Sequence, residues 1–140
     1  MLILIALILY PYYSISELQG TGDTSPYVGD TVTTSGIVTG LTGNNFYLQD
    51  MSGGLRSGIY IYRGGRNTPD IHIGDSIVIT GLVKEFANLT ELWVSNEIFT
   101  INIVARNHSL PSPYKLTIPA IHSNGEDYDC LLYTSPSPRD

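Results

Sequence analysis

Thr31-Val-Thr-Thr-Ser-Gly-Ile-Val-Thr39, with its echo Ser76-Ile-Val-Ile-Thr-Gly-Leu-Val-Lys84, decides how the chain folds. Both runs are rich in β-branched residues and alternate with a period of two. Val32, Thr34, Gly36 and Val38 share one face of the first, and Ile77, Ile79 and Val83 share one face of the second. Each run has a glycine in its interior, Gly36 and Gly81. A glycine there weakens a flat strand but permits a bulge or a sharp bend, as a small barrel needs.

The neighbouring runs are shorter. Phe46–Gln49 sets Phe46 and Leu48 on one face against Tyr47 and Gln49, and Ile59–Tyr62 sets Ile59 and Ile61 against Tyr60 and Tyr62. Thr90–Val94 and Glu97–Val104 read as a fifth strand broken at Ser95-Asn96, and Ile15–Gly20 as a short strand or lead-in. Thr21–Gly29, Gly40–Asn44, Asp50–Gly58 and Arg63–Gly74 carry the Gly, Pro, Ser and Asn of loops. No stretch of helical length holds a helical period. The pattern predicts an all-β chain, a small five-stranded Greek-key barrel of the OB type with irregular termini. A β-sandwich is the alternative, but takes about seven strands.

The 140 residues include 7 Lys plus Arg and 13 Asp plus Glu, a net charge of −6. Non-specific nucleic-acid affinity rests on neutralising phosphates, so this balance excludes a strongly basic binder and leaves room for a local patch. Residues 1–14 form an apolar leader, opening MLILIALILY. Ten residues are too few to span a bilayer, which takes about 20 in a helix. The run suits the apolar core of a secretory signal cleaved near Tyr13 to Ser16, which places the protein outside the cell or at its surface, without stable membrane insertion. A clipped anchor or a buried strand are the other readings. Residues 15–110 are assigned to the barrel and 111–129 to an exit segment.

Three stretches taken together resemble a known family. They are Glu17-Leu-Gln-Gly-Thr-Gly-Asp-Thr-Ser-Pro26 leading to Val28-Gly-Asp-Thr-Val32; Phe46-Tyr-Leu-Gln-Asp50 with Gly58-Ile-Tyr-Ile-Tyr62; and Gly74-Asp-Ser-Ile-Val-Ile-Thr-Gly81 with Val83-Lys-Glu-Phe86 and Thr90-Glu-Leu92. In order and spacing they resemble the OB-like domain near the N-terminus of large secreted bacterial nucleases. There it precedes an endonuclease/exonuclease/phosphatase domain that hydrolyses phosphodiesters with divalent metal. The resemblance implies a monomeric, non-catalytic accessory domain of a secreted nuclease whose catalytic domain, and the divalent metal with it, lies downstream of this fragment. It assigns no catalytic residue, metal ligand or cofactor to this chain. A protein-interaction or structural module of a secreted multidomain protein is the alternative.

Candidate contacts cluster in one place. Arg56, Arg63 and Arg66 bracket Tyr60 and Tyr62, with no acid between Arg56 and Arg66. Arginine for phosphate and tyrosine for base stacking is how OB surfaces hold single strands, so single-stranded DNA or RNA is a candidate partner beside the chain's own downstream catalytic domain. Tyr47 and Lys84 extend that surface. Outward tyrosines also simply suit strands, and Trp93 reads as core or interface. Asp70 with His72 is a poor metal pair. Asp50 and Asp75 read as turn-makers, and Glu85 and Glu91 as hairpin surface.

The final residues, Cys130-Leu-Leu-Tyr-Thr-Ser-Pro-Ser-Pro-Arg-Asp140, resemble a translated sequencing adapter and hold the single cysteine. A Ser/Pro-rich linker has the same composition. If the adapter reading holds, deleting residues 130–140 changes stability by less than about 0.5 kcal/mol. Thermal unfolding of the two chains checks this, and a large loss of melting temperature on deletion would count against it.

Overall fold

The computed structural model describes residues 9–66, 69–96 and 98–115. Most of the leader, residues 116–129 of the exit segment and all of residues 130–140 lie outside that set. The order of elements is α1 (Ile15–Gln19), β1 (Thr31–Thr42), β2 (Asn45–Gln49), β3 (Gly58–Tyr62), β4 (Ser76–Phe86), β5 (Leu89–Trp93) and β6 (Ile101–Ala105). Five strands pair in the order β1-β2-β3-β5-β4, and β1 pairs again with β4, which closes the barrel. Every pairing is antiparallel except that of β3 with β5. The all-β, OB-like barrel is the architecture that the strand pattern predicts.

Closure depends on the two long strands each serving two partners. β1 runs Thr31–Ile37 against β4, then Ile37–Thr42 against β2, with a register shift between Val38 and Gly40. Gly36 stands at the handover. A Cβ there would lie 2.5 Å from the Gln49 carbonyl oxygen and 3.0 Å from the Leu48 side chain. β4 makes the matching move. One of its edges takes β1 from Ser76 to Leu82, while the other takes β5 along Leu82–Phe86 and β6 along Ser76–Ile79. Gly81 sits at that second junction, where a Cβ would meet Val94 Cγ1 at 2.7 Å and the Trp93 carbonyl oxygen at 2.8 Å. Both glycines are therefore places where a neighbour's backbone crosses too close for any side chain.

The broken fifth strand is thus two strands along one edge of β4. The interruption predicted at Ser95-Asn96 lies in the stretch between β5 and β6, which contains Val94 and Phe99 as buried residues. The period-two reading of the interior holds. Val32, Val38, Phe46, Leu48, Ile59, Ile61, Ile77, Ile79, Val83 and Leu92 all belong to one buried cluster. β4 and β5 are joined by Ala87-Asn88, both left-handed at φ 50° and 63°, which matches the twist of a two-residue hairpin.

One sequence expectation is corrected. Ile15–Gly20 is not extended: Ile15–Gln19 is a one-turn helix that buries Ile15 and Leu18 in the core. Ser14 caps it, accepting from the Glu17 N–H while the Glu17 carboxylate accepts from the Ser14 N–H, a capping box. Asp50 completes the cap from across the chain, its carboxylate accepting from the N–H groups of Ile15 and Ser16 at 3.3 and 3.2 Å. The turn after it closes through its backbone carbonyl to the Gly53 N–H, so the side chain serves the helix and not the turn expected of it.

The residues just before α1 also pack on the barrel. Thr33 donates to the Pro11 carbonyl and accepts from the Tyr13 N–H, so Pro11–Tyr13 lies beside β1. Tyr13 also packs against the core and sits 4.1 Å from the Tyr27 ring. The folded unit therefore includes Pro11–Ser14, and cleavage between Tyr13 and Ser16 would remove a paired edge and a helix cap.

Gly36→Ala is expected to cost about 2–3 kcal/mol, the range for forcing atoms into a filled interior, because the obstacle is backbone. Gly65→Ala, where nothing lies within 4 Å, should cost under about 0.5 kcal/mol. Urea unfolding of the two variants measures the difference.

Candidate functional site

The outer side of β2, β3, β5 and β4 carries the residues that the inward alternation leaves over. Strand register aligns Tyr47, Tyr60, Glu91 and Lys84 in one row across four strands. The next row places Tyr62 beside Trp93 and Trp93 beside Leu82. Opposed aromatic residues on neighbouring strands come within ring contact. The Tyr47 and Tyr60 centroids are 5.2 Å apart, and those of Tyr62 and Trp93 are 4.6 Å apart, both pairs tilted. The four rings are half-buried, so each keeps part of its surface open to solvent.

Polar groups hold this surface in place. Asn45 Nδ2 donates to the Tyr60 hydroxyl at 2.8 Å, and Asn45 Oδ1 accepts from the Arg63 N–H. Trp93 Nε1 donates to the Glu91 carboxylate at 2.8 Å. The Lys84 ammonium lies 4.0 Å above the Trp93 ring, a cation–π contact. Glu91 is only 5 % exposed although it belongs to the outward row. Burial pushes its carboxyl above the ordinary glutamate value. The Trp93 hydrogen bond opposes that rise, and the Glu85 charge adds to it.

The predicted cations divide. Lys84, Arg63 and Arg66 border the aromatic surface. Arg63 follows Tyr62 directly, its guanidinium bonding the Asn44 and Pro69 carbonyls and lying 5.5 Å from the Phe46 ring. Arg66 Nη1 donates to the Val94 carbonyl, one residue beyond Trp93. Both line a cleft of about 560 Å³ with Leu41, Asn44, Pro69 and Asp70, at the end of the barrel where β3 finishes. Arg56 precedes β3 and so sits at the opposite end. Its Nη1 donates at 3.0 Å to the carbonyls of both Gly20 and Gly22, tying the segment after α1 to the β2–β3 loop. The structure therefore brings Tyr47, Tyr60, Tyr62, Lys84, Arg63 and Arg66 to one region and leaves Arg56 outside it.

Sequence reasoning missed Trp93 and Glu91 as members of this surface. The available signal was the period of two itself: Thr90 and Leu92 point inward, so Glu91 and Trp93 must point outward. Three other acids singled out in the sequence have structural partners. Asp75, 1 % exposed, accepts from the His72 N–H and from Arg106 Nη1. Asp70 meets His72 Nε2 at 3.3 Å, and Arg106 Nη1 lies 2.7 Å from His72 Nδ1. Glu85 accepts from the Ser25 N–H and from the Thr90 hydroxyl. Among the described residues no three His, Cys, Asp or Glu side chains are grouped to hold a metal ion.

Because Arg56 serves backbone carbonyls away from the aromatic rows, Arg56→Ala should lower stability by about 1–2 kcal/mol while leaving ligand affinity at that surface unchanged. Thermal unfolding and a binding titration on the same variant separate the two effects.

No protein-family model matches the chain, and no curated protein matches it. Among solved structures, the OBody AM1L10 bound to hen egg-white lysozyme superposes with a TM-score of 0.52 at 22 % identity, over 70 % of this chain and 97 % of that one. At that identity the likeness bears on the fold alone, and it places this chain among OB-like barrels.

Proposed function

We propose that the barrel is a non-catalytic binding module that holds single-stranded nucleic acid weakly, as the accessory domain of a secreted nuclease. The observation that carries the binding reading is the pair of outward rows, Tyr47-Tyr60-Glu91-Lys84 and Tyr62-Trp93, on the β2–β3–β5 side. OB barrels use that side for oligonucleotides and oligosaccharides. Stacking a base on an aromatic ring contributes about 1–3 kcal/mol whatever the base. The nuclease parentage is supported by the resemblance of the three quoted stretches. In that setting a weak contact gains from being tethered to a catalytic domain, which raises the effective substrate concentration.

Stacking carries more of this binding than phosphate contact does. Three cations border the rows, and the guanidinium groups of Arg63 and Arg66 already donate to backbone carbonyls. With at most three phosphates neutralised, the slope of log affinity against log salt is no steeper than about −2 for a single strand. A second reading, a protein-binding surface, is favoured by those same committed cations.

Trp93 is the single tryptophan of the chain and reports directly on the surface. Titration with oligothymidylate should quench its fluorescence, with a salt slope of about −1 to −2. Tyr60→Ala should weaken binding about tenfold, the loss of one stacked base. Absence of quenching by oligothymidylate at low salt would refute the nucleic-acid reading in favour of the protein one.

A further inference from the structure

Glu91 is an unexpected residue in a surface read as facing a polyanion. It is central rather than peripheral. Tyr60 flanks it on β3 and Lys84 on β4, with Tyr47 beyond Tyr60 and Trp93 two residues along its own strand. It is 5 % exposed, so water screens its charge poorly towards anything laid on the rows. One carboxylate oxygen accepts from Trp93 Nε1 at 2.8 Å, which orients the indole against Tyr62. The ammonium of Lys84 is drawn over the Trp93 ring. A second acid, Glu85, lies on β4 beside Lys84 and adds to the negative potential felt by Glu91.

We infer that Glu91 is a specificity-determining residue: a charge gate that positions Trp93 for stacking while limiting how tightly the surface accepts a phosphate backbone. The inference rests on the nucleic-acid reading above and deepens it. The hydrogen bond and the charge are separable roles. A neutral amide at position 91 still accepts from the indole N–H, so the ring geometry is retained while the repulsion is lost. Protonation has the same effect. Because burial holds the Glu91 carboxyl above the ordinary value of 4.5, the gate opens on acidification at a higher pH than an ordinary glutamate would allow. As pH falls through the raised value, Glu91 becomes neutral and affinity for a polyanion increases.

Comparison with Glu91→Gln separates this titration from those of the groups around it. Tyr60 and Tyr62 lie on β3, and burial pushes the Tyr60 hydroxyl up, further from the acid range. Glu85 is the other acid near Glu91, held by the Ser25 N–H and the Thr90 hydroxyl. His72 is bonded to Asp70 and Arg106, and His108 to the Ser109 carbonyl, away from this surface.

The test uses the full chain, wild type and Glu91→Gln, with oligothymidylate as probe because thymine does not titrate between pH 5 and 8. Affinity is read by Trp93 quenching at low salt. At pH 7.5 Glu91→Gln should bind roughly threefold to tenfold more tightly, the scale of one removed like charge near a phosphate. As pH is lowered from 7.5 through the acid range the wild type should approach the affinity of the variant, and the variant should change less. Equal affinity of the two proteins at pH 7.5, with parallel pH profiles, would overturn the gate and leave the nucleic-acid reading standing. Quenching by neither protein would overturn both. Weaker binding by Glu91→Gln, with an unshifted Trp93 emission maximum showing the indole in place, would mean that the carboxylate assists binding as a hydrogen-bond acceptor for the base. That result would overturn the gate. Should Glu91→Gln unfold, the wild-type pH profile decides alone, since a flat profile excludes the gate.

Discussion

Closing a sheet of five short strands onto itself is the constraint from which the other features of this barrel follow. Two strands must each change partner partway along, and at each change a neighbouring backbone passes within side-chain distance. Gly36 and Gly81 occupy those two points, with neighbouring carbonyl oxygens 2.5 and 2.8 Å from where a Cβ would stand. Once β1 hands over from β4 to β2, and β4's second edge from β5 to β6, inward and outward positions are set for every strand. The same register fills the interior with Phe46, Leu48, Ile59, Ile61 and Leu92 and lines up Tyr47, Tyr60, Tyr62 and Trp93 outside.

The segment before the barrel contributes more than a lead. Pro11–Tyr13 pairs beside β1, and the single turn of α1 places Ile15 and Leu18 in the core. A five-residue helix has little stability of its own. Here it is held by the Ser14–Glu17 capping box and by the Asp50 carboxylate, and Arg56 anchors the chain just after it. Several charged groups are thus used to fasten loops instead of facing a ligand, which suits a chain with net charge −6 and few basic residues. What stays on the outer rows is aromatic surface with a buried acid in its middle, a combination that favours stacking over phosphate contact.

The strands, their inward faces, the two bending glycines and the OB-like class were legible because they depend on local periodicity and on one residue type with special backbone freedom. The outward tyrosines were legible for the same reason. α1 was not read, although Ser14-Ile-Ser-Glu17 carries the capping signature, because five residues hold too little periodicity to show a helix. The split of the fifth strand was visible only as an interruption at Ser95-Asn96.

Which cations meet the aromatic surface was decided in three dimensions. Arg56, Arg63 and Arg66 look equivalent along the chain, yet β3 lies between the first and the other two and carries them to opposite ends of the barrel. Glu91 looks like any hairpin acid until the register sets it between Tyr60 and Lys84 and buries it. The sequence by itself determined strand content, alternation and the positions where the sheet can bend, since each is a property of residues a few steps apart. Only the tertiary structure decided partners, burial of charge and the composition of the candidate site. Those arise from contacts between residues distant in the chain, which no local pattern records.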